Sequence, residues 1–300
     1  MKKWLVRFLL ALIIVFLAGQ AVLVASPALR TRAYFAFVRS WKAHWHFAWG
    51  SQFPEGLARV VRPTASIWYE PEPHVRMLLD PYDLLPRTIL STGRWEPAVA
   101  RAIQRHLPAD GTLIDVGADI GYHSLKAATL LGPAGHVIAI EPNPTSLRLL
   151  RENIRASGAT AIRVEPVACS NAEGTVELFA AGESNTGESS LSRDNASGAG
   201  KIAGSYRVPA RTLDAIVKET ALSRVDVIKL DVEGAEMLVL QGAPETLARN
   251  RPALVVEVIE SQLRAMGTSS AAIREYLHAA GYSSGRAIDA SNVEFLPQGR

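Results

Sequence analysis

The chain holds a single cysteine, Cys169, in 300 residues. A lone cysteine closes no intramolecular disulfide, so a disulfide-stapled secreted fold is excluded and a reducing compartment is favoured. Cys169 lies in an apolar run and reads as a small core residue rather than a nucleophile. A dinucleotide fingerprint is also missing. The stretch Thr112–Leu125, TLIDVGADIGYHSL, has a strand-like run, a tight turn with two glycines and a helix start. The pattern G-x-G-x-x-G begun at Gly117 requires glycines at 119 and 122, where the chain has Asp119 and Tyr122. A carboxylate at 119 would also repel a pyrophosphate. Net charge is small too, at +3. Residues 1–62 hold nine of the 32 Lys/Arg and one of the 29 Asp/Glu, a charge of +8 that leaves −5 for the remainder. The main part of the chain is mildly acidic, which argues against a nucleic-acid-binding face and against a nucleic-acid partner.

What is present begins with Phe8–Ala25, an uncharged apolar run preceded by Lys2, Lys3 and Arg7. As a helix it would approach the roughly 30 Å hydrocarbon core of a bilayer. It reads as a single-pass membrane anchor; a cleaved signal peptide and a buried helix are the rival readings. Tyr34–Trp49 repeats tryptophan at 41, 45 and 49, with Phe37 in the same row and Arg39, Lys42, His44 and His46 between. Four-residue spacing puts the aromatics on one helix face. Interleaved bases suit the membrane–water interface and contact with membrane lipid, although a helix packed on the following domain has the same pattern. The expected organisation is therefore residues 1–50 as anchor and interfacial segment, 51–111 as a lead-in that packs on the core, and 112–300 as the main domain.

In the lead-in, SIWYE and HVRMLL within 66–79 read as strand pieces, and Trp95-Glu96-Pro97 opens a helix with Pro97 in its first turn. From 112 onward strands and helices alternate. Strands are expected at 113–115, 136–140, 161–168, 225–230 and 253–258, helices at 122–131, 146–157, 235–241 and 269–280, and a last edge strand at 292–296. A short extra strand at 175–180 reads as a hairpin arm after the turn at 171–174. That alternation predicts an α/β fold with a doubly wound, mostly parallel sheet. Ala181–Tyr206 is rich in Gly, Ser and Asn and reads as a loop or lid.

In such sheets ligands lie at the carboxyl ends of strands near the switch in strand order. Acidic residues recur there. Asp115 ends the first strand beside Gly117, Asp119 and Gly121; Glu141 ends the second and is placed to accept hydrogen bonds from ribose hydroxyls; the fourth ends in KLDVEGAE, with Asp231, Glu233 and Glu236 crowded near Lys229. Mutual repulsion should raise at least one of these pKa values, which suits general-base work on a hydroxyl. Glu257 ends the fifth strand, so a divalent metal among Asp231, Glu233 and Glu257 is a further possibility. A cationic, phosphate-free cofactor tolerates Asp119, and S-adenosylmethionine (SAM), a sulfonium, is such a molecule. Asp115 and Asp119 are both expected to face its positive end.

IDVGADIGYHS, then VIAIEPNP, then TLDAI and VIKLDVEGAEMLVLQGA, in that order, resemble the FkbM-type family of SAM-dependent methyltransferases. The resemblance covers roughly 95–257. It implies a class I methyltransferase, Rossmann-like fold and O-methylation of sugar or natural-product hydroxyls. By that likeness Asp115, Gly117 and Gly121 flank the methionine end of the cofactor, Glu141 holds the ribose, Ala168 approaches the adenine through its backbone, and Asp231 sits beside the methyl group. The family commonly has Asn at the position of Asp119 and an aromatic at that of His123, which makes His123 an additional acid–base or substrate-binding candidate. The expectation is a membrane-anchored methyltransferase, its catalytic domain in the cytoplasm with the cofactor, using Asp231 or Glu233 as base on a glycan or lipid-linked saccharide. The alternatives are a non-catalytic scaffold of the same fold, methylation of a lipid or other small-molecule hydroxyl, and an NAD-dependent enzyme that Asp119 and Tyr122 disfavour.

Overall fold

The computed structural model describes residues 26–44, 65–182, 185–198, 202–220 and 222–299, for 37–44 the backbone only. The expected anchor at Phe8–Ala25 lies outside the described residues, as do Trp45, His46 and Trp49. Among the described residues no helix is long and apolar enough to cross a membrane. The chain divides into two compact units, Met1–Tyr69 with Leu78–Gly93, and Glu70–Met77 with Arg94–Arg300.

The first unit contains helix α1 (Pro27–His44) and, after the start of a two-stranded sheet of β1 (Ile67–Glu72) and β2 (Val75–Leu79), helix α2 (Leu84–Thr92). Thr31 is fully buried and its hydroxyl donates to the carbonyls of Pro27 and Ala65 at 3.1 and 3.0 Å. Gly93 ends α2 in the left-handed conformation that a Cβ disfavours.

The second unit holds the rest. In chain order these are α3 (Pro97–His106), β3 (Thr112–Val116), α4 (Tyr122–Ala128), β4 (His136–Ile140), α5 (Pro144–Ser157), β5 (Ile162–Glu165), β6 (Ala168–Cys169) and β7 (Gly174–Ala180), followed by α6 (Arg193–Gly198), β8 (Gly204–Arg211), α7 (Leu213–Thr220), β9 (Val227–Leu230), α8 (Glu236–Gln241) and α9 (Pro244–Asn250). The unit ends with β10 (Ala253–Glu257), α10 (Glu260–Ala265), α11 (Ser270–Ala279), β11 (Arg286–Ala287) and β12 (Asn292–Phe295). The main sheet has the order β11-β12-β10-β9-β3-β4-β5. Strands β10, β9, β3, β4 and β5 run parallel; β12 is antiparallel to β10 and to β11. The chain starts in the middle at β3, winds out through β4 and β5, and returns to β9 and β10. The switch point, where ligands sit in such sheets, is thus the gap between the carboxyl ends of β3 and β9.

Side chains alternate across this sheet as strand geometry requires. Leu113, Val227 and Val255 face one side and are covered by Val99 and Ile103 of α3. Ile114, Ile228 and Leu254 face the other, under Leu240, Leu247 and Leu277. The first face changes character toward the strand ends, where Asp115 and Lys229 stand in register and Glu257 follows Val255. Helix α3 therefore aims its N-terminus, Glu96, at a polar strip.

Three expectations need correction. The strand expected over 161–168 is broken: β5 joins the main sheet, whereas β6 turns away to pair with β8. The hairpin arm β7 pairs with β8, not with the strand before it, in a separate three-stranded sheet of order β6-β8-β7. Its partner lay hidden because residues 204–206 fell inside the presumed loop. Finally, β12 is not the edge, since β11 flanks it. The loop expected over 181–206 also contains a 3₁₀ turn at Thr186–Glu188, α6 and the beginning of β8.

Candidate active site

At the end of β3, Asp115 is completely buried. Its Oδ2 accepts from the Ser124 hydroxyl at 2.6 Å and its Oδ1 lies 3.3 Å from Lys229 Nζ. Lys229 also pairs with Asp231 Oδ2 at 3.2 Å and donates to the carbonyl of Gly117 at 2.8 Å. Burial would lower the Lys229 pKa, but Asp115, Asp231 and Glu96 outweigh it and hold the ammonium charged. Asp115 Oδ2 is thus taken by Ser124, while Oδ1 faces the Lys229 ammonium as an ion pair and makes no hydrogen bond. Lys229, which the spacing marked only as a neighbour of the acidic cluster, is the cation that joins β3 to β9.

The two glycines of the turn answer to packing. Gly117 has φ 77°, and a Cβ there would stand 1.7 Å from the Asp231 carbonyl oxygen. Gly121 has φ 95°, and its Cβ would meet Leu150 Cδ1 at 2.5 Å. The neighbouring strand end and α5 supply the close approach. Between them Asp119 adopts φ 46°, unusual for a residue with a Cβ. Its N–H donates to Glu141 Oε2 at 2.8 Å and its Oδ1 accepts from Ser146 Oγ at 2.6 Å. Glu141 Oε1 accepts from the N–H of Asn143 at 2.7 Å. Asn143 in turn caps α5 through Thr145 N–H. Burial and the adjacent Asp119 push the Glu141 pKa up to about 8 despite those two hydrogen bonds.

Past β9, Asp231 keeps 24% of its side chain exposed beside Lys229. Glu233 takes φ 54°. Its Oε2 accepts from Gln262 Nε2 at 2.5 Å, and its carbonyl accepts from Ser190 Oγ at 2.7 Å and Asn195 Nδ2 at 2.9 Å. Carboxylate oxygens of Asp231, Glu233 and Glu257, one from each, lie within 4.8 Å of one another. Burial, and then Asp231 and other carboxylates, raise Glu233 to about 9 and Glu257 to about 11. Glu257 Oε2 is buried without a hydrogen-bond partner. Glu236 is different: its Oε1 accepts from the N–H groups of Val232 and Gly234, so it shapes the loop. Segment 186–195 is tied to both sides of the crevice, through Asn143 Nδ2 donating to Ser189 Oγ at 2.8 Å and through Ser190 and Asn195 on Glu233.

His123, at the start of α4, is buried, and its Nε2 lies 2.9 Å from Glu96 Oε2. Ala168 is buried in β6, in register with Ala210. Cys169 is buried, and burial pushes its thiol up to about 12, which fits an inert core residue.

The doubly wound sheet, with β12 antiparallel to β10 and acidic strand ends at the switch point, has the architecture of a class I methyltransferase, Rossmann-like fold. The methyltransferase FkbM domain matches residues 115–284, more than half of the chain, and the chain belongs to that family. It is 28% identical over 154 residues to the hexuronic acid methyltransferase AglP of Haloferax volcanii, covering 51% of this chain and 59% of that protein. It is 27% identical over 151 residues to the 2-O-methyltransferase NoeI of Sinorhizobium fredii, covering 47% and 61%. A 28% identical match over 206 residues to the AMB antimetabolite synthetase AmbE of Pseudomonas aeruginosa covers 59% of this chain and 10% of that one. The matches thus span at most about three fifths of these relatives' own lengths.

The donor set fits SAM. Glu141 is a buried carboxylate whose charge two backbone N–H groups leave under-compensated, and vicinal ribose hydroxyls would add the missing donors. Asp119 beside it disfavours a diphosphate and tolerates a phosphate-free adenosyl group.

Proposed function

We propose that this protein transfers a methyl group from SAM to a hydroxyl of a sugar-containing acceptor. The observation that carries the chemistry is the Lys229–Asp231 ion pair flanked by two carboxyls of raised pKa at the same sheet end as Glu141. When bound, the cofactor supplies an electrophilic methyl group on its sulfonium. Glu141 binds the ribose. Asp231, half-buried beside Lys229, accepts the proton of the acceptor hydroxyl on its carboxylate. Glu233 and Glu257 are protonated near neutral pH and donate hydrogen bonds that orient the acceptor, so that much of the acceleration comes from alignment. Lys229 fixes the positions of Asp115, Asp231 and the Gly117 carbonyl together. Ala168 is assigned to the adenine side and His123 to support of the site.

Support for a sugar hydroxyl comes from the two relatives whose names specify hexuronic acid and 2-O-methylation. A lipid or other small-molecule hydroxyl is the alternative acceptor. The test is incubation of the full chain with methyl-labelled SAM and extracted cell-envelope glycans and lipids, followed by mass spectrometry. A methyl gain in a glycan that is lost with Asp231→Asn supports the proposal; cofactor binding with no transfer to any fraction favours a scaffold. Calorimetric titration with Mg²⁺ or Mn²⁺ alone asks whether the three clustered carboxyls take up a cation instead of protons. The N-terminal run, as a single-pass anchor with the catalytic domain in the cytoplasm, would hold the enzyme near a lipid-linked acceptor. A reporter fused after residue 300 and found outside the cytoplasm would remove that placement.

A further inference from the structure

Glu96 is strained, half-buried and unused by its own helix. It has φ 36° and ψ 65°, left-handed values on a non-glycine residue that also precedes proline, where the helical region is already disfavoured. It is the N-cap of α3, yet its side chain makes no capping hydrogen bond. An N-cap carboxylate ordinarily accepts from the second or third N–H of the helix. Here the carboxylate turns to His123, whose Nε2 lies 2.9 Å from Oε2. Glu96 keeps 19% of its side chain exposed, whereas Asp115 keeps none. Backbone strain of this kind costs of order 1–3 kcal/mol and persists where the surroundings enforce it, often at functional sites.

Its electrostatics agree with a charged, ligand-facing role. Burial opposes ionisation, but the His123 hydrogen bond, the charges of His123 and Lys229 and a hydrogen bond from Asn292 hold the Glu96 pKa below its ordinary value. Of the five non-glycine residues with positive φ among the described residues, three are acids, Glu96, Asp119 and Glu233. The latter two flank the β3–β9 crevice. Glu96 is the third, reaching the polar strip from the N-terminus of α3.

We propose that Glu96, braced by His123, receives the α-ammonium group of the cofactor's methionine part, the role that the sequence assigned to Asp115. This assignment rests on the SAM reading of the site. It makes Glu96 a binding residue and His123 a positioning residue.

The test is calorimetric and needs no acceptor. S-Adenosylhomocysteine carries the amino-acid part; 5′-methylthioadenosine keeps the adenosyl group and lacks it. Glu96→Gln is expected to weaken S-adenosylhomocysteine roughly tenfold or more, as loss of a hydrogen bond to a charged group does, and to leave 5′-methylthioadenosine within about twofold of wild type. Glu96→Gly, which also relieves the backbone, should show the same selective loss and stands in if the Gln variant does not fold. Glu141→Ala should weaken both ligands alike. Equal weakening of both compounds by the Glu96 variants, or none, overturns the assignment. A wild-type protein that binds neither compound overturns the methyltransferase reading itself.

Discussion

The two sides of the crevice use the same residue type to opposite ends. On the β3–β4 side the carboxylates are held by donors: Ser124 and Lys229 on Asp115, the N–H groups of Asp119 and Asn143 on Glu141, Ser146 on Asp119. On the β9–β10 side Asp231, Glu233 and Glu257 crowd one another, with Lys229 and Gln262 as donors to the first two. The first arrangement fixes positions and suits binding. The second raises the pKa values of Glu233 and Glu257, leaving two acids that retain protons beside the Lys229–Asp231 pair, and suits proton transfer.

The largest expected effect breaks the second side alone. Asp231→Asn should lower turnover by about 10²–10⁴, the range of general-base catalysis, with S-adenosylhomocysteine affinity changed less than about threefold. Turnover that survives would remove Asp231 as the base. Next is the wall between the two sides. Gly117→Ala drives a Cβ into the Asp231 carbonyl and forces an unfavourable φ, and should cost about 3 kcal/mol or more, read as a fall in Tm. Gly121→Ala is strained in the same way at φ 95° but meets the end of the flexible Leu150 side chain rather than backbone, so its cost should be smaller; equal losses would show that the strand contact at Gly117 is not the cause. Glu141→Ala should weaken cofactor binding by about 1.5–3 kcal/mol, the value of hydrogen bonds to a charged group, and leave turnover at saturating cofactor nearly intact. A variant that lost turnover instead would erase the division between a binding side and a chemical side.

Much of this contrast was legible in the chain. Alternating strand and helix patterns located the parallel sheet, and acids at strand ends marked Asp115, Glu141, Asp231, Glu233 and Glu257, because parallel strands deliver their carboxyl ends to one edge. The meaning of the glycines was not legible: which atom forbids a Cβ at 117 depends on the carbonyl of a residue 114 positions away. Nor was the commitment of Asp115, since Lys229 reaches it only through the β3–β9 register. Glu96 looked like a helix opener, and nothing local shows that its carboxylate leaves the cap for His123. The β7–β8 hairpin was missed because low apolar content around 181–206 hid the start of a strand.

The smallest expected effect is on the stability of the cofactor-free protein. Glu141, Glu233 and Glu257 are raised to about 8, 9 and 11 from 4.5. Below about pH 4.5 each is protonated folded or unfolded and contributes no pH dependence. Above it the unfolded chain releases protons that the folded one keeps, so the folded state binds more protons and stability falls as pH rises, up to the folded pKa of each group. Scanning calorimetry should therefore show Tm declining from pH 5 to pH 8. Glu233→Gln removes one titrating group from the crowded side, so its decline should be shallower and its Tm at pH 8 higher than wild type by about 2–5 °C, the shift expected for 1–2 kcal/mol in a domain of this size. At pH 4.5 the two proteins should differ little. S-Adenosylhomocysteine should flatten the part of the decline due to Glu141, because donors arriving at that carboxylate favour its charge, and leave the part due to Glu233. A wild-type Tm that does not fall over this range would mean that the crowded side carries no retained protons and that the two sides differ only in shape; a Glu233→Gln variant that falls as steeply would remove Glu233 as a proton-retaining acid.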